Sequence, residues 1–283
     1  MEATKYEDPA VVAQNIGKIY KLQSSAVRSG LGKKKHDRDV DALRGVSFVV
    51  RKGESVGIVG RNGSGKSTLL RIIAGGEAAT SGKIMVSAQP SLLGVSPALQ
   101  GWLTGEQNIY LGLLALGMKP AEAKEAIPDI IEWTELGEAA SRPMNTYSSG
   151  MGAKLSFAIS TAISPEILLV DETLSTGDAA FAAKAQERMQ GLLAGAGNLF
   201  LVSHSLGYVK QNCGRALWIH QGDLIADGPA EEVSGAYEEF SALLKTNDSD
   251  KAQQVMEACR ETYPPMPVSY THLTLPTNRE VQL

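Results

Sequence analysis

Cysteine is nearly missing from this chain: Cys213 and Cys259 are the only two in 283 residues. Two thiols build no disulfide framework, and neither stands at metal-ligand spacing. That excludes a stapled secreted domain and a zinc module, and a reducing cytosol is the expected compartment. Long apolar runs are missing as well. No stretch approaches the roughly 18 residues of a membrane span, so membrane attachment is expected only through another polypeptide. The opening Met1-Glu2-Ala3-Thr4-Lys5-Tyr6-Glu7-Asp8 carries acid and no apolar core, unlike a signal peptide. Excess positive charge is also absent, and a net charge of -4 argues against general nucleic-acid binding. The remainder, 43% apolar and 20% charged, suits one large or two small domains.

Against these absences stands one dense motif. Gly60-Arg61-Asn62-Gly63-Ser64-Gly65-Lys66-Ser67 fits G-x-x-x-x-G-K-[ST]. It follows the apolar Ser55-Val56-Gly57-Ile58-Val59 and precedes the helical Thr68-Leu69-Leu70-Arg71-Ile72-Ile73. Strand, loop and helix in that order form an anion cradle: glycines let successive amides turn inward, and the helix adds its positive end. Gly60, Asn62, Gly63, Gly65, Lys66, Ser67 and Thr68 are the candidate nucleotide-binding positions, with Lys66 reaching the β- and γ-phosphates and Ser67 a ligand of Mg²⁺. A Gly-rich turn ending in a chance Lys-Ser is the plain alternative.

A second segment, Pro165-Glu166-Ile167-Leu168-Leu169-Val170-Asp171-Glu172, reads as a turn and a buried strand ending in two carboxylates. Ligands of parallel sheets bind at the carboxyl ends of strands. Asp171 then holds Mg²⁺ through water, and Glu172 acts as general base on the attacking water. Taken alone, the segment also reads as a strand meeting a polar loop.

With both segments in place, the chain resembles the ATP-binding cassette (ABC) family from about Val11 to about Leu244. The resemblance implies an α/β P-loop nucleotide-binding domain with an inserted helical subdomain. Tyr147-Ser148-Ser149-Gly150-Met151 stands at the family's signature motif, and there Ser148, Ser149 and Gly150 close on the γ-phosphate of ATP held by the opposite subunit. Anion binding at a helix N-terminus suits that role, although the same residues read as an ordinary cap. His204, after Leu201-Val202-Ser203, matches the switch histidine, and Asp178 of Ser175-Thr176-Gly177-Asp178 matches the loop that links the two sites. A satisfied polar histidine and a Gly-Asp turn are their plain counterparts. Tyr20 matches the aromatic that stacks on adenine, and strand packing would also explain it. The family's Mg²⁺-sensing glutamine is absent from Pro90-Ser91-Leu92-Leu93-Gly94-Val95-Ser96-Pro97, with Gln89 and Gln100 out of place.

Leu103-Thr104-Gly105-Glu106-Gln107-Asn108-Ile109-Tyr110, the signature segment, and Asp171-Glu172 through Asp178 with Phe181 and Lys184 look together like the polysaccharide exporters of that family. Gly152 departs from their usual Lys or Arg. The resemblance implies an ATPase that uses ATP and Mg²⁺, pairs as a homodimer beneath a separate multi-span permease, and drives lipid-linked teichoic acid, O-antigen or similar polymer outward. The location implied is the cytoplasmic face of the cell membrane, with no nucleic-acid partner and mainly indirect membrane contact. Another exporter class, or a soluble cassette protein that transports nothing, is the alternative.

The expected layout is a nucleotide-binding domain over 1–245, with strands and helices alternating around one sheet and a helical subdomain at about 94–164. A helix begins at Pro120, and Pro128 interrupts or restarts it. Residues 246–267 form a C-terminal extension. Residues 268–283, opening Val268-Ser269-Tyr270-Thr271-His272-Leu273, look like a translated sequencing adapter and are set aside from fold reasoning, with a natural disordered tail as the alternative. Between Lys18 and Arg44 lie eight Lys or Arg against three Asp, centred on Lys33-Lys34-Lys35. That is a solvated loop or a contact for anionic headgroups.

Overall fold

The computed structural model describes residues 8–21, 39–93, 99–171, 179–203, 205–265 and 279–280. The chain divides into two compact units, Met1–Ala88 with Leu201–Leu283, and Gln89–Phe200. The first unit opens with β1 (Pro9–Tyr20), β2 (Val40–Arg51), β3 (Ser55–Val59), α1 (Lys66–Ile73) and β4 (Ser81–Val86). The second holds β5 (Ser91–Leu93), α2 (Gly105–Ala115), α3 (Pro120–Glu125), α4 (Ile127–Thr134), α5 (Ser149–Ser160), β6 (Ile167–Asp171) and α6 (Ala179–Gly195), and β7 (Asn198–Val202) straddles the division. The first unit then resumes with α7 (Leu206–Asn212), β8 (Arg215–His220), β9 (Asp223–Pro229), α8 (Ala230–Lys245), α9 (Ser249–Thr262) and β10 (Arg279–Glu280).

In the first unit, β3 runs parallel to β8, and β9 returns antiparallel beside β8. Val56, Ile58 and Val59 of β3 and Ala216 through Ile219 of β8 are buried, as an unbroken apolar run requires of a strand covered on both faces. A separate antiparallel sheet has the order β10-β4-β1-β2, which corrects the expectation of one sheet. The cause is direct pairing of β1 with β2 along nearly their whole length, from Pro9 opposite Arg51 to Tyr20 opposite Val40. Antiparallel neighbours need no crossover helix. β10 falls in the segment read as adapter-derived and sets Arg279 opposite Val86 and Glu280 opposite Met85. An open strand edge accepts any extended peptide, so this pairing demands no tail that evolved with the sheet.

Arg215 joins the strands at the far end from the glycine loop. Its guanidinium donates to both Asp227 carboxylate oxygens, one at 2.7 Å, and to Glu54 and the Val49 carbonyl, each at 2.9 Å. The Asp227 side chain is 5% exposed. Asp227→Ala removes two charge-assisted hydrogen bonds from the largely desolvated guanidinium and leaves Glu54 as its one counter-charge among the described residues, for which a loss of about 3 kcal/mol is expected. Thermal unfolding should show a Tm lower by roughly 5 °C or more, and an unchanged Tm would mean the pair contributes nothing. In the extension after residue 245, α9 packs on α8 and β9, and the Asp227 amide donates to the Tyr263 carbonyl. Burial pushes the Cys213 thiol up to about 12 and raises that of Cys259, so neither is a nucleophile at neutral pH.

The second unit is built on a helical core of Ile109, Leu113, Ile130, Leu136, Leu155 and Ile159. Thr104 and Gln107 form a reciprocal capping box at the start of α2. Asn108, 2% exposed, donates to the carbonyls of Gln100, Leu103 and Thr104 and accepts from the Gln100 amide, which fixes the turn ahead of α2. The proline readings hold: Pro120 opens α3, and α4 restarts at Ile127 with Pro128 in its first turn. This unit is broader than the helical stretch expected at 94–164 because α6 packs into it. Phe181 of α6 meets Trp133 and Phe157 edge-on, at centroid distances of 5.0 and 6.0 Å.

Candidate functional site

The loop between β3 and α1 has backbone angles that only glycine adopts without strain. Gly60, Gly63 and Gly65 have φ of 150°, 77° and 111°. A Cβ on Gly60 would run into the Ile219 carbonyl oxygen, and one on Gly65 into that of Ala42, so the curl is packed from outside as well as permitted within. Asn62 and Gly63 form the exposed crest. α1 begins with no side-chain cap and no acidic residue in its first turn. Its N-terminal amides and the positive end of its dipole are thus uncompensated by the helix itself. Lys66, 7% exposed, folds its ammonium across the loop to the carbonyls of Gly60 at 2.7 Å and Arg61 at 3.0 Å. The buried Ser64 hydroxyl has no partner among the described residues. Ser67 is partly exposed and Thr68 buried, both in the first turn of α1.

Tyr20 ends β1 with its hydroxyl 3.4 Å from the Thr68 hydroxyl and within reach of Arg71 Nη2, also at 3.4 Å. Arg71 pairs with Glu77 at 3.0 Å, and Glu77 with Lys18 at 3.0 Å. Burial pushes the Glu77 carboxyl up, but hydrogen bonds from Tyr20, Lys18 and Arg71 outweigh it and hold the group below its ordinary value. The hydrogen bond to Tyr20 is the main cause that raises Arg71, against burial and with help from Glu77. Sequence reading missed Lys18, Arg71 and Glu77, since charges read one at a time look like solvated surface.

In the second unit Ser148 caps α5, its hydroxyl accepting from the Met151 amide at 3.3 Å, and Ser149 and Gly150 form the first turn. Tyr147 fixes the approach by donating to the Ala139 carbonyl at 2.7 Å. Ser148, Ser149 and Gly150 border a cavity of about 450 Å³ that Glu135, Lys154 and Phe181 also line. Phe181 and Lys184, noted in the sequence for their spacing, prove to be packing and pairing residues: Phe181 joins the aromatic cluster and Lys184 pairs with Glu135. Asp171 is the last residue of β6 and is partly exposed. Glu172, Asp178, His204, the basic run Lys33-Lys34-Lys35 and half of the stretch searched for the missing glutamine, 94–97, lie outside the described residues.

Strand, glycine loop and uncapped helix place the protein in the P-loop class of nucleotide-binding folds, and similarity to known proteins narrows it. Residues 43–175 match the ABC transporter family. The teichoic acids export ATP-binding protein TagH of Listeria monocytogenes is 41% identical over 209 residues, covering 74% of this chain and 62% of that protein. The protein of the same name from Staphylococcus epidermidis is 38% identical over 237 residues, covering 84% of this chain and 89% of its own length. The chain belongs to the ABC transporter family. It spans 62% and 66% of the two Listeria relatives it matches. Two solved structures share the fold. One is a dimeric ATP-binding cassette in a post-hydrolysis state bound to ADP and Pi, with TM-score 0.59 and 22% identity over 78% of this chain and 98% of that one. The other is an ATP-binding subunit of an ABC transporter, with TM-score 0.60 and 23% identity over 81% and 93%.

Proposed function

We propose that this protein is the ATP-hydrolysing subunit of a bacterial exporter of lipid-linked polysaccharide, with teichoic acid as the cargo class that its relatives' names favour. The observation that carries the reading is the glycine loop with buried Lys66 at the uncapped start of α1. A site of that build binds anions, and its loop of inward amides suits the phosphates of a nucleotide. The Lys66 ammonium exchanges the Gly60 and Arg61 carbonyls for phosphate oxygens, and the loop amides hold the remainder. Ser67 and Asp171 supply a hydroxyl and a carboxylate, hard oxygen donors that suit Mg²⁺ beside nucleotide phosphates. The described residues gather no cluster of three or more His, Cys, Asp or Glu, so they hold no all-protein metal cage. When bound, Mg²⁺ neutralises charge developing on the transferred phosphoryl group. Glu172 takes the proton of the attacking water, His204 contacts the γ-phosphate, Asp178 links the paired sites, and Tyr20 stacks on adenine.

Ser148, Ser149 and Gly150 then serve the nucleotide of the opposite subunit, so the working unit is a homodimer. Among the described residues no helix is long and apolar enough to cross a membrane. In this reading the homodimer attaches at the cytoplasmic face through a separate multi-span permease, as the family resemblance implies. Purified protein should release phosphate from MgATP and stop when EDTA removes the metal. Absence of turnover with intact nucleotide binding would contradict the enzymatic reading.

A further inference from the structure

We infer that Lys18, Arg71 and Glu77 form a clamp that positions the Tyr20 ring for a nucleobase and ties it to the helix that opens at the phosphate-binding loop. The inference rests on the reading of Tyr20 as the base platform and adds the residues that hold it. Three bonds stitch the end of β1 to the turn after α1. The Ile19 amide donates to the Thr80 hydroxyl at 3.0 Å, the Thr80 amide to the Gly17 carbonyl at 2.8 Å, and Lys18 Nζ to the Ala78 carbonyl at 2.7 Å. That turn is itself rigid. Gly76 N–H donates to the Arg71 carbonyl and Gly75 N–H to that of Ile72, the paired bonds of a Schellman helix end, and Glu77 comes directly after it.

The side chains close the circuit. Glu77 holds Lys18 with one carboxylate oxygen and Arg71 with the other. Arg71 reaches the Tyr20 hydroxyl and Thr68, and Thr68 meets the same hydroxyl. Lys18 and Glu77 side chains are only 15% and 18% exposed, unlike the solvated surface pairs that contribute little. The Lys18 ammonium also lies over the Tyr20 ring, 5.1 Å from its centroid. A ring has two faces. With a cation on one, a base would stack on the other, and the hydroxyl meets Thr68, two positions past Lys66. Base and phosphates would therefore be read from one braced piece of structure, with stacking selecting a nucleoside triphosphate over bare polyphosphate.

The test compares dissociation constants for MgATP and for magnesium tripolyphosphate in the whole chain. Glu77→Gln keeps size but removes the charge that organises both cations. MgATP should bind about fivefold more weakly, as for a partly lost base stack, while tripolyphosphate binding and kcat at saturating ATP change less than twofold. Tyr20→Phe, which keeps the ring and loses its anchored hydroxyl, should move in the same direction, and it serves if Glu77→Gln folds poorly. In a Tyr20→Ala background Glu77→Gln should add nothing. Equal weakening of both ligands would overturn the clamp and make Glu77 a support of α1. Normal ATP affinity in Glu77→Gln beside weakened Tyr20→Ala would overturn the clamp alone. Normal affinity in Tyr20→Ala would remove the platform reading and the clamp with it.

Discussion

Lys66→Ala should bind MgATP at least about 30-fold more weakly and lose turnover with it. Lys66 is 7% exposed at the start of α1 and is held by two loop carbonyls, so its charge is already largely desolvated before a phosphate arrives. Exchanging neutral carbonyls for anionic oxygens makes charge-assisted hydrogen bonds in a site of low dielectric. Truncating one partner of such a pair costs about 2–5 kcal/mol, or roughly 30- to several-thousand-fold in affinity. The fold should survive, because water can satisfy the Gly60 and Arg61 carbonyls that the ammonium leaves. A nucleotide-binding titration beside a melting curve checks both halves. A variant with normal Tm and normal MgATP affinity would remove Lys66 from the phosphate site.

Glu172→Gln should separate binding from chemistry. The amide keeps the size and most hydrogen bonding of the carboxylate but cannot accept the proton of the attacking water. Hydrolysis should fall by about 10²-fold or more while MgATP still binds. The two variants therefore fail differently: Lys66→Ala before the nucleotide is held, Glu172→Gln after. Single-turnover phosphate release with MgATP in excess measures the second effect. Near-normal turnover would take Glu172 out of the base role.

The parts of this protein that are legible in its sequence are those whose cause is local. β3, the glycine loop and α1 read directly because φ values of 150°, 77° and 111° demand glycine at Gly60, Gly63 and Gly65, and an apolar strand and an amphipathic helix flank them. The strand ending at Asp171 and the restart of α4 at Ile127 are equally local, set by an apolar run and a proline. The antiparallel sheet was illegible because its register is long-range and broken: β1 against β2 shifts at Ala13/Ile16, Ile16/Gly17 and Lys18/Ile19, and no period of two survives such bulges. Asn108 shows the same limit, since nothing in its neighbours announces a buried side chain that makes three hydrogen bonds to carbonyls. Lys18, Arg71 and Glu77 become a unit only when β1 and the turn after α1 lie side by side. Phe181 and Lys184 show the reverse: their spacing was visible, and their packing against Trp133 and pairing with Glu135 were not.

The central claim is that ATP held by Lys66 of one subunit is closed over by Ser148, Ser149 and Gly150 of another. Size-exclusion chromatography with light scattering on Glu172→Gln tests it most directly, because unhydrolysed nucleotide should then act as glue. With MgATP the variant should run as a dimer. It should revert to monomer with MgADP, and adding Ser148→Arg should prevent the dimer by placing a long cation where the cap of α5 meets the γ-phosphate. A Glu172→Gln protein that holds MgATP and stays monomeric would contradict the shared-site mechanism.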